Sequence, residues 1–184
     1  QRCYWRWLAM VTAGGGWMSD YDVFPLGLDS EVGLEIGEDD TFKSFYHNVP
    51  CLLHASAKEW DRIIHLMIGI LPPKQSGNKV ISDMKSLQHL DQLRGRSEMI
   101  WSGDVQTNML YERSEEGDLR LDCKVGKAKL AVHLSHHECD IAFREGRYPE
   151  IEKMPKDVHQ AIERRSDAAL KLMTHYKDKC IDME

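Results

Sequence analysis

The order of apolar and polar positions predicts a chain in which helices alternate with short strands. Apolar residues recur at helical spacing from Cys3 to Ala13, and three glycines then end that helix. The segment Ser56 to Glu59 forms a capping box, the pattern that satisfies the free N–H groups of a first helical turn. The apolar stripe that follows it consists of Trp60, Ile63, Ile64, Met67, Ile68 and Leu71.

Two further helices are predicted later in the chain. Pro72-Pro73 ends the capped helix, and Ser82 is a good N-cap for the next one. The last helix is expected from Lys156 to Lys177. The apolar face after Ser82 consists of Met84, Leu87, Leu90 and Leu93. The repeat of the last helix consists of Val158, Ile162, Arg165, Ala169, Leu172 and Tyr176.

Short apolar runs between these helices predict strands. The predicted strands are Val32 to Ile36, Val49 to Ala55, Met99 to Trp101, Leu119 to Cys123 and Lys129 to Leu134. Glu115 to Asp118 is expected to form a hairpin-like turn, and Phe24 to Leu26 a loop. This mixed order predicts an α/β sandwich in which Trp5, Trp7, Trp60 and Trp101 belong to the core. A length of 184 residues fits a single domain over residues 1–184.

Charge and hydropathy exclude several classes of partner. The formal net charge is −6, so the chain lacks the basic field that attracts a nucleic-acid backbone. No run of about 18 apolar residues occurs, and membrane attachment is therefore expected only through a segment outside this sequence. The sequence predicts neither a nucleic-acid-binding protein nor a membrane-spanning one.

The cysteines leave the compartment open. There are five of them, widely spaced and without a C-x-x-C pair, so neither a zinc knuckle nor a disulfide framework is expected. One or two disulfides in a secretory lumen and buried free thiols are both compatible with this pattern.

The most informative segment is Gly14 to Val23, where two aspartates follow a run of glycines. In an extended chain alternate side chains share a face, so Asp20 and Asp22 are expected to project together. Paired carboxylates suit Mg²⁺ or Mn²⁺ and leave coordination positions open for phosphate oxygens. The simpler alternative is a glycine turn and a solvent-facing strand with two aspartates.

The surrounding residues resemble the signature of DXD-motif glycosyltransferases with a GT-A fold. The matching residues are Arg6, Gly15, Gly16, Trp17, Asp20, Asp22 and Val23. The resemblance implies that Asp22 ligates the metal bridging the donor diphosphate, and that Arg6 lies near the nucleotide sugar. It also implies that Asp20 contacts the ribose, the donor sugar or a metal-bound water. This sequence departs from the signature by one extra glycine, and by Trp17-Met18 where the family usually has an aliphatic residue and tyrosine.

Three more positions are candidates for the same site. His133 is the first choice for a further metal ligand late in the GT-A fold and His136 the second; the alternative is a hydrogen-bonded core or rim histidine. Asp83, at a predicted helix start, either caps that helix or is directed towards a sugar. Trp17 is a candidate to stack on a base or sugar.

The resemblance implies a GT-A-like mixed sheet flanked by helices, without its first nucleotide-binding strand. The expected activity is metal-dependent transfer of a sugar from a nucleotide-diphosphate donor to a hydroxyl of a glycan, lipid or protein, in the Golgi or secretory lumen. Two alternatives stay open. One is a metal-dependent phosphoester hydrolase that uses both aspartates with His133, His136 and His137. The other is a non-catalytic nucleotide-sugar-binding domain.

Overall fold

The computed structural model describes residues 2–37, 40–47, 49–70, 82–94 and 98–181. The fold is α/β, with mixed sheets flanked by helices. The chain forms two compact units. The first consists of Gln1–Tyr21 and Ser30–Gly103, and the second of Asp22–Asp29 and Asp104–Glu184. Within the described residues, every helix is too short or too polar to traverse a lipid bilayer.

Eight α-helices and nine strands are numbered in chain order within the described residues. The helices are α1 (Arg2–Ala13), α2 (Ser30–Gly37), α3 (Ala57–Gly69), α4 (Asp83–Arg94), α5 (Cys123–Lys127), α6 (His136–Arg144), α7 (Val158–Glu163) and α8 (Arg165–Tyr176). The strands are β1 (Gly15–Ser19), β2 (Val23–Pro25), β3 (Lys43–Ser44), β4 (Leu52–Ser56), β5 (Ile100–Trp101), β6 (Val105–Gln106), β7 (Tyr111–Arg113), β8 (Leu119–Leu121) and β9 (Ala131–His133). A π-helical turn, Lys177–Ile181, follows α8.

The first unit contains a four-stranded sheet in the order β1-β4-β3-β5. β4 pairs antiparallel with β1 and β3, whereas β3 and β5 are parallel. An aromatic core lies here, since the rings of Trp7 and Phe42 stack at 5.7 Å and Trp60 meets Trp7 edge-on at 5.1 Å. All three side chains are fully buried, so the predicted helical faces of α1 and α3 supply much of this core.

Gly15 is required by its surroundings at the start of β1. Its φ angle is +94°, and a Cβ atom there would lie 2.5 Å from the backbone nitrogen of Ala57. Side chains rarely adopt this backbone conformation, and the antiparallel pairing of Gly15 with Ser56 brings the two backbones too close for one. The glycine therefore permits β1 to pack against the junction of β4 and α3.

The second unit combines a three-stranded sheet, a hairpin and the carboxyl-terminal helices. The sheet order is β2-β9-β6, with β2 antiparallel and β6 parallel to β9. β7 and β8 form the hairpin, which confirms the predicted turn between them. A disulfide joins Cys123 at the start of α5 to Cys180 in the π-helical turn. The core of this unit includes Val132, Leu134, Leu172 and Tyr176.

Several sequence predictions are confirmed and others are wrong. The Ser56 hydroxyl accepts the N–H of Glu59, as the capping box predicts, and Ser82 accepts the N–H of Lys85 at α4. The predicted strand Val32 to Ile36 is instead part of helix α2, and Val23–Pro25 is a strand where a loop was expected. The predicted final helix is divided into α7 and α8 at Arg164.

Other boundaries and burial assignments also differ from the prediction. Trp5 is 70% exposed, so it is not a core residue, whereas Trp7 and Trp60 are. The predicted strand at Val49 to Ala55 begins later, at Leu52, because Pro50 and Cys51 form a turn. Pro72-Pro73 lies outside the described residues.

Candidate functional site

The D-x-D motif lies in the connection between β1 and β2. β1 ends at Ser19, and Tyr21 and Asp22 form a turn before β2. The expectation that both aspartates occupy an extended strand is wrong, so side-chain alternation does not place them on one face. Asp20 belongs to the first unit and Asp22 to the second.

In the first unit, Arg6 joins two of the candidate acidic residues. Its guanidinium forms an ion pair with Asp20. Its Nε and Nη2 atoms donate to Oδ2 of Asp83 at 3.1 and 2.7 Å. The same oxygen accepts the indole N–H of Trp7 at 3.0 Å. We call Arg6, Trp7, Asp20 and Asp83 the arginine cluster.

The local structure explains why Asp83 is available to this cluster. Ser82, not Asp83, caps α4, and Asp83 is the first residue inside that helix. Its carboxylate is 5% exposed and bonds to the side chains of Arg6 and Trp7 on α1. Burial lowers the pKa of Arg6, but Asp83 and then Asp20 raise it by more, so its pKa lies above the ordinary value. The guanidinium is therefore permanently charged and holds both carboxylates.

In the second unit, Asp22 meets one histidine and one arginine. Nε2 of His133 lies 3.3 Å from Oδ1 of Asp22, and Nη1 of Arg165 donates to Oδ2 at 3.0 Å. All three side chains are nearly buried, at 10–12% exposure in these pairs. We call Asp22, His133 and Arg165 the Asp22 cluster.

Strand register brings Asp22 and His133 together. Val23 on β2 pairs with His133 on β9, and the Leu134 N–H donates to the Asp22 carbonyl at 2.8 Å, which extends the ladder by one step. Arg165 comes from the start of α8, where the helix break at Arg164 begins a new first turn. Three separate elements therefore position the Asp22 cluster.

The electrostatics of this cluster keep Asp22 ionised. Burial raises the pKa of the Asp22 carboxyl, but the adjacent His133 imidazole and the charge of Arg165 lower it by more, so its pKa lies below the ordinary value. Oδ1 is buried and accepts no well-aligned hydrogen bond from any described residue. A buried carboxylate oxygen without such a bond, facing an imidazole nitrogen, is a donor set that a divalent cation can use.

Cys139, which lies near this cluster, is not a reactive group. Its side chain is buried, and burial raises the pKa of the thiol to about 11, although the charge of Arg165 opposes this. Reactive cysteines have lowered pKa values and solvent access. Cys139 is therefore a packing residue of the second unit.

The remaining candidate residues have structural partners or lie elsewhere. The indole of Trp17 donates to the Gly33 carbonyl at 3.2 Å and its ring stacks on Phe45, while the Gly16 carbonyl accepts the indole N–H of Trp60. His136 and His137 begin α6 and are exposed. Among the described residues, neither of these histidines joins a group of three side chains able to ligate a metal.

Arg165 is the member of the Asp22 cluster that sequence reasoning missed as a site residue. It was assigned to the repeat of one continuous carboxyl-terminal helix. Helix α7 ends before Arg164, so Arg165 lies in the first turn of a new helix. The sequence gives no sign of this break, because neither proline nor glycine occurs next to Arg164.

Comparisons of the chain with protein-family models, curated proteins and solved structures gave no match. The two clusters and the resemblance of the D-x-D segment are therefore the features that point to a function.

Proposed function

We propose that this protein is a metal-dependent glycosyltransferase that moves a sugar from a nucleotide-diphosphate donor to an acceptor hydroxyl. The observation that carries the proposal is the pairing of Asp22 with His133, whose atoms Oδ1 and Nε2 are 3.3 Å apart. These are the second aspartate of the D-x-D motif and the late histidine that the GT-A resemblance nominates as metal ligands. Residues distant in sequence thus supply one oxygen and one nitrogen to a common position.

The donor set of the Asp22 cluster fits Mn²⁺ or Mg²⁺. Arg165 occupies Oδ2 of Asp22, which leaves Oδ1 and Nε2 of His133 as the atoms that would hold the ion. When bound, such an ion supplies electrostatic stabilisation to the charge that develops on a leaving diphosphate. Arg165 orients the Asp22 carboxylate and keeps it deprotonated in a nearly dry environment.

The arginine cluster supports the same proposal, because it contains every acidic or basic candidate of the first unit. Arg6 presents a fixed positive charge suited to phosphate oxygens, and Asp20 is a charged acceptor suited to sugar hydroxyls. Asp83 holds the guanidinium from the other side, so that Arg6 is oriented before any ligand arrives. In this proposal Asp83 positions Arg6 within the first unit, where Asp20 also pairs with it.

The experiment measures Mn²⁺ binding by calorimetry and Mn²⁺-dependent consumption of a panel of nucleotide sugars with simple sugar acceptors. Asp22→Asn and His133→Gln are each expected to abolish Mn²⁺ binding and to lower turnover by about 100-fold or more. His136→Gln is the matched control, since it changes an exposed histidine three residues along the chain, and it should leave both measurements unchanged.

Two outcomes would contradict the proposal. Unaltered Mn²⁺ affinity in both Asp22→Asn and His133→Gln would show that this pair is not a metal site. Mn²⁺-dependent hydrolysis of simple phosphoesters, without acceptor-dependent formation of a glycoside, would show a hydrolase instead. Circular dichroism of each variant would separate loss of ligand from loss of fold.

A further inference from the structure

A polar cavity lies within the second unit, and none of its lining residues belongs to the Asp22 cluster. Its volume is about 350 Å³, near the lower end of the range for small-molecule sites. It is lined by residues from the β7-β8 hairpin, from α8 and the π-helical turn, and by Glu150. The lining residues that bear on the argument are Tyr111, Asp118, Glu150, Lys171, His175 and Lys179.

One wall of this cavity is basic. Lys171, His175 and Lys179 recur every fourth residue along α8 and the π-helical turn, and both ammonium groups act electrostatically on the imidazole. Across the described part of the chain, the side chains of Lys171 and Lys179 form neither an ion pair nor a hydrogen bond with another residue. Two cations therefore lie near one imidazole, and no carboxylate of a described residue is within ion-pair distance of either ammonium group.

The hydroxyl of Tyr111 is the hydrogen-bond partner of His175 beside the cavity. Tyr111 Oη lies 3.0 Å from Nδ1 of His175. Burial raises the pKa of Tyr111 to about 12, so the phenol keeps its proton and is able to donate to Nδ1.

The imidazole itself is kept neutral. Burial, Lys171 and Lys179 lower the pKa of His175, and Asp178 only partly opposes them. When Nδ1 accepts from Tyr111, the ring proton of neutral His175 is on Nε2, and this is the tautomer that we infer. The basic wall thus presents two ammonium groups and one N–H donor, and it presents no acceptor.

We propose that this cavity binds a small phosphorylated polyol, with its phosphate on Lys171, His175 and Lys179. A phosphate group is rich in acceptor oxygens, and ammonium groups are common phosphate ligands in proteins. Asp118 and Glu150 supply the opposite chemistry in the same cavity, because carboxylates accept hydrogen bonds from hydroxyl groups. The volume accommodates more than a bare phosphate ion, which favours the phosphorylated polyol over the free ion.

The experiment titrates the protein with glycerol 1-phosphate, inorganic phosphate and glycerol, and follows the His175 ring nitrogens by ¹⁵N NMR. The free protein is expected to show the tautomer protonated at Nε2. Glycerol 1-phosphate is expected to bind more tightly than inorganic phosphate, and glycerol is expected not to bind.

Two variants test the basic wall. The double variant Lys171→Ala/Lys179→Ala should weaken glycerol 1-phosphate binding by about tenfold or more, since it removes two charged donors. Lys177→Ala, an exposed neighbour that does not line the cavity, is the control and should bind normally. Equal affinity in the double variant and the wild type would overturn the site. Equal affinity for phosphate and glycerol 1-phosphate would overturn the polyol ligand.

Discussion

Nε2 of His133 lies 3.3 Å from Oδ1 of Asp22, and this contact follows from the register of two short strands. Val23 opposes His133 in the antiparallel pair, so the residue before Val23 meets the end of the same ladder. The main-chain bond from Leu134 to the Asp22 carbonyl fixes that position at 2.8 Å. The backbone of Asp22 is therefore held by the sheet, while its carboxylate is held by Arg165.

The first prediction concerns that ion pair. Arg165→Met removes the guanidinium and leaves the nearly buried Asp22 carboxylate without its arginine partner. Breaking one side of a buried pair typically destabilises a protein by about 3 kcal/mol, and we expect a loss of that size in the free energy of unfolding. Urea denaturation in metal-free buffer measures it.

A double-mutant cycle separates this pair from general packing effects. Asp22→Asn/Arg165→Met should cost less than the sum of the two single variants, with a coupling of about 1 kcal/mol or more. Strictly additive losses would show that Arg165 stabilises the unit by packing alone. Arg144→Met is the matched control. The Arg144 side chain pairs with Asp140 on α6 and is largely exposed, so its loss should lower the free energy of unfolding only slightly.

The second prediction concerns acid stability at the start of α3. A hydrogen bond from Arg62 lowers the pKa of Glu59 below its ordinary value of 4.5, although burial partly opposes this shift. A carboxyl with a lowered pKa in the folded state adds stability above its unfolded pKa, and this contribution is lost as the pH falls through the folded pKa. Glu59→Gln should therefore lower the free energy of unfolding by about 0.5–1 kcal/mol at pH 7.

The pH profile identifies the source of that loss. Wild type and Glu59→Gln are expected to converge in stability as the pH falls below 4.5 and through the lowered pKa of folded Glu59, because both then carry a neutral side chain at this position. Thermal unfolding from pH 7 to pH 2.5 measures the difference. If the stability difference persisted unchanged in acid, it would come from helix capping and not from the charge of Glu59. Asp61→Asn, an exposed neighbour on α3, controls for the general effect of removing one charge.

The helices with caps or clear repeats could be predicted from the sequence, because their signals are local. Ser56 and Ser82 cap helices through their own third-neighbour N–H groups, and such contacts require no knowledge of the rest of the fold. Val32 to Ile36 misled the prediction because its apolar residues alternate. Leu34 in that segment is 74% exposed, so the alternation does not correspond to a buried sheet face. Glu31 in the first turn favours the helix instead.

The residue types of the candidate site could be predicted from the sequence, but their contacts could not. Sequence reasoning nominated Arg6, Asp20, Asp22, Asp83 and His133 as residue types suited to the proposed chemistry. It placed the two aspartates on an extended strand, whereas Asp20 follows the end of β1 and Asp22 lies in a turn. It could not nominate Arg165, because pairing with Asp22 depends on tertiary contacts and on a helix break that has no local signal.

The third prediction tests the close approach at Gly15. Gly15→Ala places a Cβ atom 2.5 Å from the Ala57 nitrogen, where backbone atoms cannot easily move away. Gly16→Ala has a similar positive φ of +104°, but nothing lies within 4 Å of its Cβ position. We expect Gly16→Ala to cost about 1–2 kcal/mol from backbone strain, and Gly15→Ala to cost at least about 2 kcal/mol more. Equal losses in chemical denaturation would contradict the close packing of β1 on α3.

The fourth prediction concerns the bond between Cys123 and Cys180. It joins two residues that are 57 positions apart in the sequence. It thereby links the π-helical turn after α8 to the start of α5. Cross-linking a loop of this length limits the unfolded chain, and removal of such a native disulfide costs about 2–5 kcal/mol. Cys123→Ser/Cys180→Ser should lower the midpoint of thermal unfolding accordingly, and a reductant should do the same to the wild type.

Thiol counting under denaturing conditions provides the direct check, on protein produced in an oxidising compartment, where such bonds persist. Three thiols are expected to react, those of Cys3, Cys51 and Cys139. Cys3→Ser is the control, because it removes a free and only partly buried thiol and should leave the effect of the reductant on unfolding unchanged. If all five cysteines reacted without reductant, the Cys123–Cys180 bond would be absent from the protein and the prediction would be wrong.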